Sequence, residues 1–186
     1  MDIRLSADLE FELLKKVSHG DEEAFRELYN LTHKSVFFYL YRLLRDRDMA
    51  EDILIEVFTE VWNGVKNYEG RSKVKTWIFG IARNLGIKEL RKRKIHEKIN
   101  DYPHLSDGTM PDAESTDRKR ILKDAMSRIS YKHRRALDLV FFHGMNYQEI
   151  SEVLNIPVNT VKTRVFYAKD ALRNTLTQMG VKRDDI

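Results

Sequence analysis

The sequence predicts an all-α fold: two small helical domains joined by a flexible acidic linker, the C-terminal one a helix-turn-helix. Three observations carry that expectation. Apolar residues recur at i, i+3, i+4 and i+7 through most of the chain, the spacing of one helix face. Only 3 prolines and 8 glycines occur in 186 residues, few for a many-stranded sheet full of tight turns. The local charge also inverts past the middle of the chain. Between Arg71 and Lys98 ten basic residues are opposed only by Glu89 and Glu97, a charge of +8 against +4 for the whole chain. From Asp101 to Asp117 there are five acids, no Lys or Arg, and two of the three prolines. No helical apolar period survives there, so residues 99–117 read as a solvated linker between a unit over 1–98 and a unit over 118–186.

Composition narrows the functional classes. A third of the residues are charged and 42% are hydrophobic, a balance that folds. The chain has no cysteine, which excludes disulfides, thiolate metal sites and cysteine nucleophiles. The longest apolar run, Val36 to Tyr41, is far too short to cross a bilayer. The first ten residues carry acids where a signal peptide has a basic start and an apolar core. A soluble, cytoplasmic protein without direct membrane insertion is therefore expected. No two of the six histidines lie closer than eight positions, so no helical metal pair exists. Walker, Gly-x-Gly-x-x-Gly and Gly-x-Ser-x-Gly patterns are missing. No catalytic residue, metal or cofactor is expected.

The helices follow from the apolar stripes in order. Leu9, Leu13, Leu14 and Val17 mark a short helix before Gly20. Phe25, Leu28, Tyr29, Val36, Leu40 and Leu44 mark a longer one over about 21–44. Ala50, Ile53, Leu54, Val57, Phe58, Val61 and Trp62 form an unbroken stripe over 48–64, with Asp48 the expected N-cap and Gly64 near the end. Tyr68 to Trp77 reads as a basic loop leading into a helix marked by Trp77, Ile78, Ile81, Ala82 and Leu85. In the second unit, Ile121, Leu122, Ala125 and Ile129 form one stripe, and Ala136, Leu137, Val140 and Phe141 another. Two further helices cover about 147–154 and 158–176.

The strongest local signal is that last pair. Ile150, Val153 and Leu154 face inward from the first helix, and Asn155-Ile156-Pro157 breaks it. Asn tolerates left-handed backbone, and the residue before a proline is pushed out of helix. Val161, Val165, Ala168 and Leu172 then face inward, leaving Asn159, Thr160, Lys162, Thr163, Arg164 and Tyr167 outward. Such a helix can enter a DNA major groove, where Lys and Arg reach guanine acceptors or phosphates and Asn pairs with adenine. The pattern also fits an ordinary helix pair with a polar face.

Two more surfaces are chemically distinctive. Tyr68, Trp77 and Phe79 are interleaved with Arg71, Lys73, Lys75, Arg83, Asn84 and the run Arg91, Lys92, Arg93, Lys94. Handling unpaired DNA needs cations for phosphates and aromatic faces for bases. Trp77 fits a core position equally well. The third surface is the outer face of the 48–64 helix, where Glu51, Asp52, Glu56, Thr59 and Glu60 surround Ile55. An acidic face repels DNA, and an apolar residue within it suits a protein partner with basic residues. A solvated face with one stray Ile has the same pattern.

Taken in order, these segments resemble a bacterial RNA polymerase sigma factor of the extracytoplasmic-function (ECF) group of the sigma-70 family. Ala50-Glu-Asp-Ile-Leu-Ile-Glu-Val-Phe58 with Trp62 is similar to the family's core-binding helix. Thr76-Trp-Ile-Phe-Gly-Ile-Ala-Arg-Asn84 with Leu90-Arg-Lys-Arg93 is similar to its −10 region, and Tyr147 through Arg164 to its −35 helix-turn-helix. Departures are Ile55 where Gln is common, Lys88 where Asp is frequent, Asn155 and Asn159 where Gly is common, and Ser130 for a frequent Pro, though Ser can still cap the helix that follows. The resemblance implies that Glu51, Asp52, Ile55 and Glu56 bind core RNA polymerase, and that Tyr68 to Arg93 capture bases of an opened −10 element. It implies that Asn159 to Tyr167 read the −35 duplex, and that catalysis belongs to the polymerase. It also implies an anti-sigma partner, often membrane-bound in the group. The 19-residue linker can extend to about 65 Å, enough for two promoter elements roughly 50–55 Å apart. The rival expectations are a free-standing helix-turn-helix regulator that needs no polymerase, and a nuclease, which would require a metal-binding carboxylate cluster.

Overall fold

The computed structural model describes residues 3–99 and 117–181, with side chains described over 7–93 and 120–181. The expected linker therefore lies outside the described residues, apart from its two ends. Those ends are helical: residue 99 closes one helix and residue 117 opens the next. Among the described residues the regular structure is all helical: α1 (Ile3–Ser18), α2 (Glu22–Leu44), α3 (Arg47–Gly64), α4 (Val74–Ile99), α5 (Asp117–Arg128), α6 (Tyr131–Phe141), α7 (Tyr147–Leu154) and α8 (Val158–Gln178), plus a 3-10 turn at Val65–Asn67. The chain divides into two compact units, the first built on α1–α4, the second holding α5, α6 and α8.

In the first unit α2 touches α1, α3 and α4, and α4 also touches α1 and α3. Tyr39 and Phe79 meet at its centre, ring centroids 5.2 Å apart. Leu28, Val36, Leu40, Val57, Val61 and Ile78 are buried around them. Phe25 and Tyr29 of α2 set their rings edge-on against Phe58 of α3, and Phe25 does the same to Trp62. Gly86 lets α4 cross α2 closely, since a Cβ there would fall 2.5 Å from the Leu43 side chain. Asp21 caps α2 by accepting from the Ala24 amide at 2.9 Å. Arg45 ends α2 in left-handed backbone, φ 56°. The expected cap at Asp48 is displaced to Asp46, whose Oδ1 accepts from the Met49 amide at 3.1 Å. The chain is already extended at Asp46, immediately after the left-handed residue, so α3 starts two residues earlier than its apolar stripe suggests.

In the second unit α5 and α6 lie against α8. Ser130 does cap α6, accepting from the His133 amide at 3.3 Å. Two stripe positions are not core. Leu122 is exposed, and Phe141 is 61% exposed, flanked by Lys169 with its ammonium 5.6 Å from the ring. Leu139 is buried instead, because the buried face of α6 runs through Ala136, Leu137 and Leu139. A reciprocal capping box opens α7: Asn146 Oδ1 accepts from the Glu149 amide, and Glu149 Oε2 accepts from the Asn146 amide. Asn155 adopts left-handed backbone, φ 50°, in the turn before α8, as its sequence context leads one to expect.

Candidate nucleic-acid and polymerase interface

The outer face of α3 is built by simple helical division. Ala50, Ile53, Leu54, Val57, Phe58 and Val61 are buried, which forces Glu51, Asp52, Ile55, Glu56, Thr59 and Glu60 to the surface. Ile55 is 68% exposed among them. Glu51 is tied to Arg47 at 2.9 Å, and that contact raises the Arg47 pKa. The pair is exposed on both sides and contributes little to stability.

The −10 candidates divide along α4 rather than forming one patch. Helix periodicity of about 100° per residue puts Trp77, Asn84, Lys88 and Arg91 on one face. It puts Lys75 and Arg93 on the opposite side, with the buried Ile78, Phe79 and Ala82. Lys75 holds its ammonium 5.9 Å from the Phe79 ring. Phe79, grouped by sequence with the base-stacking aromatics, is fully buried and belongs to the core. Arg83 donates to Asn84 Oδ1 at 3.0 Å. At the far end Lys92 donates to Glu89 at 3.0 Å, which raises its pKa, with a smaller push from Glu56 of α3. Arg93 sits 3.8 Å from the α3 cap Asp46. The C-terminal basic run is thus anchored beside the acidic helix, on the order of 20 Å along α4 from Trp77.

At the near end an aromatic pair is preformed. The Tyr68 and Trp77 ring centroids lie 5.0 Å apart, tilted by 47°. The Tyr68 hydroxyl donates to the Ser72 carbonyl, and burial raises its pKa, aided by Glu10 of α1. Trp77 is half-buried, with its indole against Gly64. It is therefore both a packing residue and a partly accessible one. Arg71 and Lys73 are exposed, and Arg71 pairs with Glu69. The loop is shorter than expected, since α4 begins at Val74.

On α8, Val161, Val165 and Ala168 are buried, while Asn159, Thr160, Lys162, Thr163 and Tyr167 are exposed and Arg164 is partly covered. Thr163 spends its hydroxyl proton on the Asn159 carbonyl at 3.0 Å, so it offers a base only its methyl group and lone pairs. Pro157 precedes α8 and no side chain caps its first turn, which leaves amides there for an anion. Two features escaped the sequence: Phe166, 69% exposed beside Tyr167 at 5.4 Å between rings, and a groove shared by α6 and α8. Among the described residues no group of His, Asp and Glu could hold a metal ion, and no helix is long and apolar enough to cross a membrane.

The class that these features define is a two-unit all-helical protein with a helix-turn-helix motif over α7 and α8 and an acidic outer face on α3. Residues 28–95 match Sigma-70 region 2, and residues 119–172 match Sigma-70 region 4. The ECF RNA polymerase sigma factor SigM of Bacillus subtilis is 31% identical over 150 residues, covering 79% of this chain and 91% of SigM. SigW of the same organism is 29% identical over 179 residues, covering 89% of this chain and 96% of SigW. Two solved folds agree. The sigma factor RpoE of Bartonella quintana, in complex with the anti-sigma factor NepR, superposes with a TM-score of 0.71 at 24% identity, covering 82% of this chain and 96% of that one. CnrH, in complex with the cytosolic domain of CnrY, gives 0.70 at 16% identity, covering 91% and 98%. The chain belongs to the ECF sigma factors of the sigma-70 family, and as such is a promoter-specific initiation factor for RNA polymerase.

Proposed function

We propose that the three surfaces divide the work of initiation. The outer face of α3, through Glu51, Asp52, Ile55 and Glu56, docks on a basic, apolar-centred surface of core RNA polymerase. The Tyr68–Trp77 pair takes an unpaired base of the −10 element, where stacking contributes about 1–3 kcal/mol per base. Arg71, Lys73, Asn84 and Arg91 follow the phosphates of that strand, and Lys75, Arg83, Lys92 and Arg93 add to the field that draws it in. Asn159, Thr160, Lys162, Thr163, Arg164 and Tyr167 read the −35 duplex. The bond-making chemistry belongs to the polymerase, and this chain supplies recognition and a trap for melted bases. An anti-sigma factor is the expected regulator, as NepR is for RpoE in its solved complex, and the working compartment is the cytoplasm.

The observation that carries this reading is Ile55. It stands 68% exposed within the acidic outer face of α3, a surface that repels DNA and suits a protein partner carrying basic residues around an apolar spot. Run-off transcription with purified core polymerase over a promoter library tests it. Discrete transcripts that require the added chain support the reading. Tight binding of duplex DNA without polymerase, and no transcript with it, makes the chain a free-standing regulator instead.

A further inference from the structure

α3 and α4 run antiparallel, and each end of α3 meets one end of the basic and aromatic series on α4. Gly64, closing α3, lies against the Trp77 indole, where a Cβ would stand 3.5 Å from the ring. Asp46, opening α3, lies 3.8 Å from Arg93. Residues 46 to 64 cover about 27 Å of helix, and residues 77 to 93 about 24 Å. The helix assigned to polymerase docking therefore spans the interval between the aromatic pair and the basic run.

Asp46 uses its two oxygens separately. Oδ1 accepts from the Met49 amide at 3.1 Å and caps α3, while Oδ2 faces the Arg93 guanidinium. The corner fixes where that carboxylate points. Arg45 before it is left-handed and donates its amide to the Tyr41 carbonyl at 2.7 Å, and Asp46 itself is extended. The pair is also sheltered. Its side chains are 27% and 30% exposed, against 63% and 51% for Arg47 and Glu51, so salt screens it less. Arg93 is turned toward α3, whereas Arg91 is exposed on the opposite side of α4, the side of Trp77 and Asn84. Holding Arg93 against α3 holds Arg91 outward.

We infer that Asp46 is a positioning residue: through Arg93 it keys the far end of α4 to the docking helix, and so sets where Arg91 meets the DNA strand relative to the Tyr68–Trp77 pair. This rests on the reading of α3 as the docking helix and α4 as the strand-facing one. Asp46 touches neither polymerase nor DNA in this role. It makes the spacing between base capture and phosphate contact a property of α3.

The test is affinity of the full chain, saturated with core polymerase, for labelled single strands. One strand is short and carries only the −10 bases, and others are the same strand lengthened at the 5′ or the 3′ end. Asp46→Asn keeps a good helix cap and removes the charge that faces Arg93, so the melting temperature should stay near that of wild type. It is expected to leave the short strand unaffected and to weaken a lengthened strand by up to about fivefold, the factor one ion pair of this kind carries. Arg93→Gln should do the same, and the double variant should lose no more than either alone. Arg93→Lys, which keeps the attraction to Asp46, should retain most of the affinity. Equal weakening of short and lengthened strands would make Asp46 a residue of the fold alone and overturn the proposal. Tighter binding by Asp46→Asn would overturn it too, since Asp46 would then only compete with phosphate for Arg93. So would an effect of Asp46→Asn that persists in the Arg93→Gln background. Arg91→Ala is the comparison. If it weakens the lengthened strand and Asp46→Asn does not, the positioning role fails and the reading of α4 stands. If neither weakens it, both fail.

Discussion

α4 and α8 are both amphipathic helices with basic outer faces, but they distribute those faces differently. α8 gathers Asn159, Thr160, Lys162, Thr163 and Arg164 into its first two turns, within about 10 Å. α4 strings its candidates from Lys75 to Arg93 over roughly 27 Å and across more than one face. A compact cluster at a helix start matches the few base edges that a major groove presents to one helix. An extended series, with an aromatic pair at one end, matches a single strand that must be followed rather than read at one point. The two helices therefore show two ways of making a basic surface, and the difference lies in where the hydrophobic core allows cations to stand.

The largest expected effect separates the two aromatics of α4. Phe79→Ala removes a fully buried ring from contact with Tyr39 and should cost about 3–5 kcal/mol of stability in denaturant unfolding. Trp77→Ala, half-buried against Gly64 and Tyr68, should cost distinctly less stability. It should instead cut open-complex formation by about ten- to hundredfold, the equivalent of one lost stacking contact. Equal stability losses for the two, with melting unaffected by Trp77→Ala, would make α4 an ordinary core helix and remove it from the comparison.

A smaller effect concerns the far end of α4. Asp46, the cap of α3, lies 3.8 Å from Arg93, and Glu56 of α3 acts on Lys92, so the basic run abuts the acidic face instead of standing apart from it. Reversing Asp52→Lys and Glu56→Lys should weaken capture of core polymerase by roughly tenfold at low salt, with helix content unchanged. Repeating the capture in high salt should shrink the difference, since exposed charges are screened. Unchanged capture at low salt would take the acidic face out of docking.

Much of this was legible beforehand, and the misses have a common cause. The α3 stripe predicted its own buried and exposed faces residue by residue, because a continuous i, i+3, i+4 series leaves only one solution. The helix-turn-helix was equally legible, since Asn155 and Pro157 punctuate two clean stripes. Phe79, Phe141 and Leu122 were misread because a large apolar side chain carries no mark of which neighbour covers it. Phe79 packs against Tyr39, forty positions away, while Phe141 stays 61% exposed with Lys169 beside it. The α3 cap moved to Asp46 because a left-handed Arg45 ends α2, a backbone choice its side chain does not announce. The α6–α8 groove was invisible for the same reason: Lys132 and Thr160 share it through tertiary packing alone.

The smallest effect tests whether the compactness of α8 depends on the turn that aims it. Asn155 holds φ 50°, where most residues pay roughly 1–2 kcal/mol and Asn less. Asn155→Ala should destabilise the protein by about 1 kcal/mol, a drop of a few degrees in melting temperature. Asn155→Gly removes the steric cost but adds freedom to the unfolded chain, so it should be close to neutral. Neither change touches the outward side chains of α8, so duplex affinity of the folded fraction should hold at wild-type level in both. If Asn155→Ala weakens binding beyond its stability loss, the angle at which α8 leaves the turn sets recognition, and a clustered basic face is not sufficient without it.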